Sequence, residues 1–369
     1  MIRLPEGRAI VYCQGAFGTT NGKTAHGLVR RTRRYEVVSV VDARHAGQDA
    51  GAVLDGVASG IPIYPTVTAA WEARDTGRTD LPMYLVVGLA PDGGRLPPAA
   101  REEIRAALEY GMHVDSGLHD FLSEDSELAH LAAENGVRIR DVRKPPHRRD
   151  LHFFSGKIEQ VHALKVALLG TDSAVGKRTT AWLAVDALRA AGISAELVGT
   201  GQTAWMQGAR YSIIMDALVN DFVAGEIEHA VWSAWNDTRP DVILIEGQGS
   251  LMNPAYPGGH EILAAGRPDV VVLQHAPARV EYDGFPGFPL HPLAVQIQAI
   301  ELLSGTPVVA ITLNHEGLSE NDTTAACVRI AAETGLPTCA PLRGGVAPVM
   351  DALRSYLHRG NAKRGPQGS

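Results

Sequence analysis

Residues Val166 to Thr180 read VALLGTDSAVGKRTT. Four apolar residues, Val166 to Leu169, run into Gly170. Gly176 and Lys177 follow after five intervening residues, and Thr179 to Ala191 continue without Gly or Pro. The pattern is a buried strand, a tight glycine loop and a helix. Such a loop turns successive backbone N–H groups inward, and the helix behind it adds the positive end of its dipole, so a phosphate is held largely by backbone. The candidate phosphate loop comprises Gly170, Thr171, Asp172, Ser173, Ala174, Val175, Gly176, Lys177, Arg178, Thr179 and Thr180. It departs twice from the common glycine, four residues, Gly-Lys-Ser/Thr arrangement. It has one residue more, and Arg178 stands where a hydroxyl normally ligates magnesium. Thr179 and Thr180 come one and two positions late, each about 100° further round the helix. The phosphate cradle is intact and the magnesium ligand is displaced. No metal is expected; a chain using magnesium would draw on Thr179 and Glu246.

Outward from this loop, the second half keeps alternating strand and helix. SAELVGTG, Ser194 to Gly201, is the next strand, and a loop there faces the phosphates. This makes Thr200, Gln202 and Thr203 candidate substrate contacts. MDALVNDFVAGEIEHAV reads as a helical stretch interrupted near Gly225. DVILIEGQG, Asp241 to Gly249, carries Glu246 to the C-terminal edge of a buried parallel strand. An acid at that place ligates magnesium, orients a water or accepts a proton, and is costly when buried alone. Pro254, Tyr256, Gly258, Gly259 and His260 follow in an irregular, pocket-shaping loop. PDVVVLQH and PVVAITLNH are further strands ending in His275 and in Asn314 with His315. Ligands sit beyond the carboxyl ends of strands in open α/β sheets. His275 and His315 are candidate bases or anion contacts, and Asn314 a candidate nucleobase contact. YDGFPGFPLHP, with Tyr282, Phe285 and Phe288, reads as a lid or stacking loop, or as packing.

The first half shows the same alternation. AIVYCQG runs into AFGTTNGKTAHGLVRR, and EVVSVVD ends in Asp42. Strand, glycine loop, helix, strand and terminal acid match half of a dinucleotide-binding fold, although Gly15, Gly18 and Gly22 lack its spacing. Asp42 either meets a ribose hydroxyl or caps the strand end. Strands are expected at Pro82–Ala90, His113–Leu118 and Val137–Val142, and helices at Pro97–Met112 and Asp125–Asn135. SGLHDFLSED places His119 beside three acids, as a site or as a polar loop. RKPPHRRD, Arg143 to Asp150, is the linker, because two prolines and dense charge resist regular structure. The expected domains are 1–146, Rossmann-like, and 147–358, a P-loop domain with a mostly parallel sheet; a disordered tail is expected over 359–369.

Composition sets the limits. The 369 residues are 45% hydrophobic and 20% charged, with a formal charge of −7, which gives no hint of nucleic-acid or membrane binding. Three scattered cysteines, Cys13, Cys327 and Cys339, form no disulfide framework and no zinc knuckle. No signal core or long apolar run is present, so a cytoplasmic protein is expected, and a homodimer by base rate.

GTDSAVGK is similar to the loop of dethiobiotin synthetase, and LIEGQGS to the Glu-Gly segment of that enzyme and of the cobyrinic-acid amide synthases. Over residues 9 to 315, GAFGTTNGKTAHGLVR, SGLHDFLSED, DVRKPP, GTDSAVGKRTT, GTGQT, DFVAGEIE and EGQGSLMNPAYPGG together resemble the DUF1611 family. That resemblance implies a Rossmann-like domain followed by a P-loop domain. It also implies an activity, since a member is described as a D-glutamate N-acetyltransferase using acetyl-CoA. On that reading the loop holds the nucleotide end of acetyl-CoA, and Arg178 replaces the charge of a metal. Glu246, His119, His260 or His275 takes a proton from the acceptor, and Arg143, Lys144 or Arg210 meets its carboxylates. Three other readings remain open: an ATP- and Mg2+-dependent ligase or kinase acting on a small carboxylate or amino acid, a nucleotide-binding protein without catalysis, and, weakened by the irregular glycines, an NAD-dependent reaction in the N-terminal half.

Overall fold

The computed structural model describes residues 5–78 and 80–363. The chain falls into two compact units, Met1–Pro145 with Gln202–Ala209, and Pro146–Gly201 with Arg210–Ser369. Among the described residues, no helix is long and apolar enough to cross a membrane.

The first unit is built on six parallel strands: β1 (Gly7–Tyr12), β2 (Tyr35–Val41), β3 (Ile63–Tyr64), β4 (Met83–Val87), β5 (His113–Ser116) and β6 (Ile139–Asp141). Their order, β3-β2-β1-β4-β5-β6, is that of a dinucleotide-binding fold. β1 is buried at every position, as expected of a central parallel strand covered by helices on both faces. Local signals place the helices. Pro98 opens Pro98–Glu109, and the Asp125 carboxylate accepts from the N–H groups of Glu127 and Leu128 to cap Ser126–Glu134.

Gln202–Ala209 packs into this first unit, although it follows the phosphate loop in sequence. Trp205 lies under the guanidinium groups of Arg34 and Arg140, at 3.7 and 4.4 Å from its ring centroid. Gln207 Nε2 donates to the carbonyls of Gly27 (2.7 Å) and Arg31 (2.9 Å). Glu6 and Asp115 balance the two arginines.

The second unit has seven parallel strands: β7 (Leu164–Gly170), β8 (Ala195–Gly199), β9 (Tyr211–Ser212), β10 (Val242–Glu246), β11 (Val270–His275), β12 (Val308–Leu313) and β13 (Thr338–Cys339), in the order β13-β12-β11-β7-β10-β8-β9. β7 is central. The chain builds β8 to β10 on one side of it and β11 to β13 on the other, so the crevice at this switch lies at the carboxyl end of β7. Register brings the termini together, with Glu246 opposite Leu168 and Gln274 opposite Gly170.

Two expectations are corrected. The helix Asn220–Thr238 runs through Gly225 without interruption. A Cβ at Gly225 would run into the carbonyl of His152, so this glycine serves a close approach of backbone rather than a break. At the other end, the helix Ala347–Lys363 covers the start of the segment expected to be disordered, and residues 364–369 lie outside the described ones.

Candidate active site

The phosphate loop leaves β7 at Gly170 and enters the helix Lys177–Ala190 at Gly176. Ala174 (φ 52°) and Gly176 (φ 101°) are left-handed, which turns the loop back on itself. Among the described residues no side chain caps the helix, the arrangement that suits an anion at a helix N-terminus. The Lys177 stem runs between two glycines. A Cβ at Gly170 would stand 2.8 Å from Lys177 Cδ, and one at Gly247 would stand 3.0 Å from the same atom. Lys177 Nζ ends at the carbonyls of Asp172 (2.7 Å) and Gly249 (2.8 Å). The two glycines thus hold the lysine in a slot beneath the loop.

Asp172 has a different role from the one its sequence position suggests. Its carboxylate is fully buried and collects four donors: Ser173 N (2.6 Å) and Asn253 Nδ2 (2.9 Å) on one oxygen, Arg279 Nη1 (3.0 Å) and Asp283 N (2.8 Å) on the other. It ties the phosphate loop to the loops after β10 and β11. Arg279 also donates to Ser173 O (2.7 Å) and Glu316 (2.7 Å). Burial works against the charge of Arg279, but Glu316 and Asp172 outweigh it and raise its pKa.

Other loop and strand-end groups bond mainly to one another. Thr180 Oγ1 and Thr312 Oγ1 both donate to Gln274 Oε1 at 2.6 Å, so Thr180 is committed to packing. Thr171 Oγ1 meets His275 Nδ1 at 3.0 Å. Burial, with Arg329 adding to it, pushes the His275 pKa down to about 4, so the imidazole is neutral at pH 7. Glu246 lies on the other side of β7 and accepts from Thr200 N at 2.9 Å. Burial pushes its pKa up; Arg178, Thr200 N and Lys177 pull it down but do not prevail. Asn314 donates its backbone N–H to His275 O (2.8 Å) and accepts from Glu316 N (3.0 Å), which caps the turn after β12.

Other sequence candidates lie elsewhere. His260 is exposed at the start of the helix Gly259–Gly266, with Nε2 3.2 Å from Leu251 O. Arg210 pairs with Asp237 at the surface, at 3.0 Å, and exposed Lys144 pairs with Glu124 at 3.0 Å. His119, Arg143, Gln202 and Thr203 belong to the first unit. Within it, Arg143 Nε donates to Gly117 O (2.6 Å), Gln202 packs beside Gly117, and Thr203 Oγ1 meets Thr24 Oγ1 (2.9 Å) with both residues buried. The role of Thr203 is therefore packing of its own helix. Asp42 is likewise structural: fully buried, it accepts from Phe17 N (2.9 Å) and Arg44 N (2.8 Å).

The two halves match the two domains of one family, described as domains of unknown function: a Rossmann-like domain over residues 43–145 and a P-loop domain over residues 152–350. The chain belongs to the DUF1611 family. A crystal structure of a DUF1611 protein from Anabaena variabilis is 31% identical, covering 95% of this chain and 99% of that one, with a TM-score of 0.85. Two proteins named D-glutamate N-acetyltransferase are also similar. The one from Tritonibacter scottomollicae is 32% identical over 277 residues, and the one from Pseudoalteromonas sp is 30% identical over 274 residues; each match covers 73% of this chain and 80% of the relative.

In this DUF1611 chain, sequence reasoning missed Arg279, Asn253 and Gln274. A buried Asp172 demands a cation and several donors. Nothing in the spacing says that these come from residues 81 and 107 positions away.

Proposed function

We propose that this chain moves the acetyl group of acetyl-CoA to the amino group of a small acidic amino acid, D-glutamate first among them. The names of the two curated relatives support this reaction, and one local observation carries it. At the uncapped helix start, two cations stand in succession, Lys177 and Arg178, while Thr180 is bound to Gln274. Such a site suits phosphates that are gripped and not cleaved. A carboxylate beside phosphates would repel them. Burial raises the Glu246 pKa, which weakens the charge that this carboxylate sets against a phosphate.

In the reaction the acceptor ammonium gives up a proton, and its nitrogen forms a bond to the thioester carbonyl carbon. The carbon–sulfur bond then breaks, and the thiolate of CoA takes the second proton that the nitrogen sheds as the amide forms. His275, neutral at pH 7 and held by Thr171, can take a hydrogen bond from the acceptor's amine, but with a pKa of about 4 it is too weak a base to keep the ammonium proton, which leaves to solvent.

A paired turnover assay tests the reading. One arm follows thiol release from acetyl-CoA with D- or L-glutamate in EDTA. The other follows ADP release from ATP with magnesium and the same amino acids. Thiol release in EDTA is expected. ADP release that EDTA abolishes would overturn the proposal and make Glu246 and Thr179 candidate metal ligands.

A further inference from the structure

A cavity of about 410 Å3 opens in the second unit between the end of β11, the segments at 277–280 and 290–293, and the helix Glu320–Thr334. Its size falls within the roughly 300–1,000 Å3 typical of small-molecule sites. His275 lines it and is joined to the phosphate loop by the single hydrogen bond to Thr171 Oγ1 (3.0 Å). With Nδ1 used in that bond, Nε2 is the ring nitrogen left for a ligand.

The charged lining is sparse and of both signs. Arg279 is already committed to Asp172, Ser173 and Glu316, so it forms wall rather than handle. Arg329 and Glu333 are one helical turn apart and pair with each other at 3.0 Å, each side chain 56% exposed. An exposed pair of this kind holds weakly and exchanges partners readily. Together the two offer a cation for a carboxylate and an anion for an ammonium group, about one bond length of hydrogen bonding apart. Val280, Leu293 and Ile330 add an apolar wall for a short aliphatic stem. A plain anion would leave Glu333 opposed, and a plain apolar ligand would leave both charges unused. A small zwitterion with an aliphatic body satisfies all three surfaces.

We propose that this cavity is the amino-acid site, with Arg329 taking a carboxylate, Glu333 the ammonium group and the apolar wall the methylenes. The assignment deepens the acetyltransferase reading and rests on it for the identity of the acceptor.

The test is calorimetric titration of D-glutamate and of glutarate, which lacks the ammonium group, into the purified full chain with and without saturating CoA. The same titrations are run on Arg329→Gln and Glu333→Gln. Both positions are surface-exposed, so both variants should fold, and an unchanged CoA affinity confirms it. Arg329→Gln should weaken D-glutamate about tenfold or more, the scale of one lost charge-assisted hydrogen bond. Glu333→Gln should weaken D-glutamate and leave glutarate unaffected or tighter. If turnover with acetyl-CoA is present and neither variant changes the affinity or KM for D-glutamate, the cavity assignment is overturned and the acetyltransferase reading stands. If turnover is absent but the variants weaken D-glutamate as described, the site stands and acetyl transfer falls. Absence of both binding and turnover overturns both.

Discussion

Replacing Asp172 by Ala removes an acceptor that holds three loops at once. The carboxylate is fully buried, and the Arg279 side chain it pairs with is only 12% exposed. Removing the carboxylate leaves three donors without their acceptor and Arg279 with one carboxylate in place of two, a loss of about 3–5 kcal/mol. Arg279 keeps Glu316 and Ser173 O, while Ser173 N, Asp283 N and Asn253 Nδ2 each lose their acceptor. We therefore expect about 3–5 kcal/mol of destabilisation in the second unit. For a unit of about 200 residues, this corresponds to a fall in melting temperature of about 6–20 °C. Asp172→Asn keeps the volume but turns one acceptor into a donor. That amide must face either Arg279 and Asp283 N or Ser173 N and Asn253, so Asn should recover no more than half of the loss. Urea unfolding followed by fluorescence and circular dichroism measures both variants. If Asp172→Ala stayed within about 1 kcal/mol of the parent while acetyl-CoA binding collapsed, Asp172 would be a ligand contact after all, and the hub role would be refuted.

Three further outcomes follow from the same geometry. Lys177→Ala should raise the KM for acetyl-CoA about 10–100-fold, the loss of one charge-assisted hydrogen bond; steady-state kinetics that match the parent would remove the loop from the cofactor site. The two strand-end groups should make stability depend on pH in opposite senses. His275 is depressed to about 4, so its contribution is full above its ordinary value of 6.5 and is lost as pH falls toward 4. Glu246 is raised, so its contribution is full below its ordinary value of 4.5 and is lost as pH rises. Accordingly, His275→Gln should flatten the acid limb of the stability profile, and Glu246→Gln should stabilise the chain relative to the parent near pH 8; profiles parallel to the parent's would contradict both assignments. In the first unit, Asp42→Ala should cost about 2–4 kcal/mol, because two backbone donors lose their partner, and should leave acetyl-CoA affinity unchanged; a large loss of affinity would return Asp42 to the ligand-contact reading.

The alternation of strand and helix, the two-domain reading and the phosphate loop were all legible in the linear chain. These are local properties. An apolar run, a glycine spacing and an acid after four apolar residues state their meaning within a short window. Even the Lys177 slot was half legible, since Gly170 and Gly247 both stood in motifs. The two-residue strands β3, β9 and β13 were not legible, because two residues carry no period. Tertiary structure decided everything that depends on a distant partner. Asp172 looked like a ligand contact and became a hub only once Arg279 and Asn253 reached it. Thr203 looked like a substrate contact until its helix packed against Thr24 in the first unit. Gly225 looked like a helix break until the backbone at His152 came to lie against it. In each case the residue's own neighbours were silent, because burial and hydrogen-bond satisfaction are set by which chain segments meet, and that pairing is a property of the folded molecule.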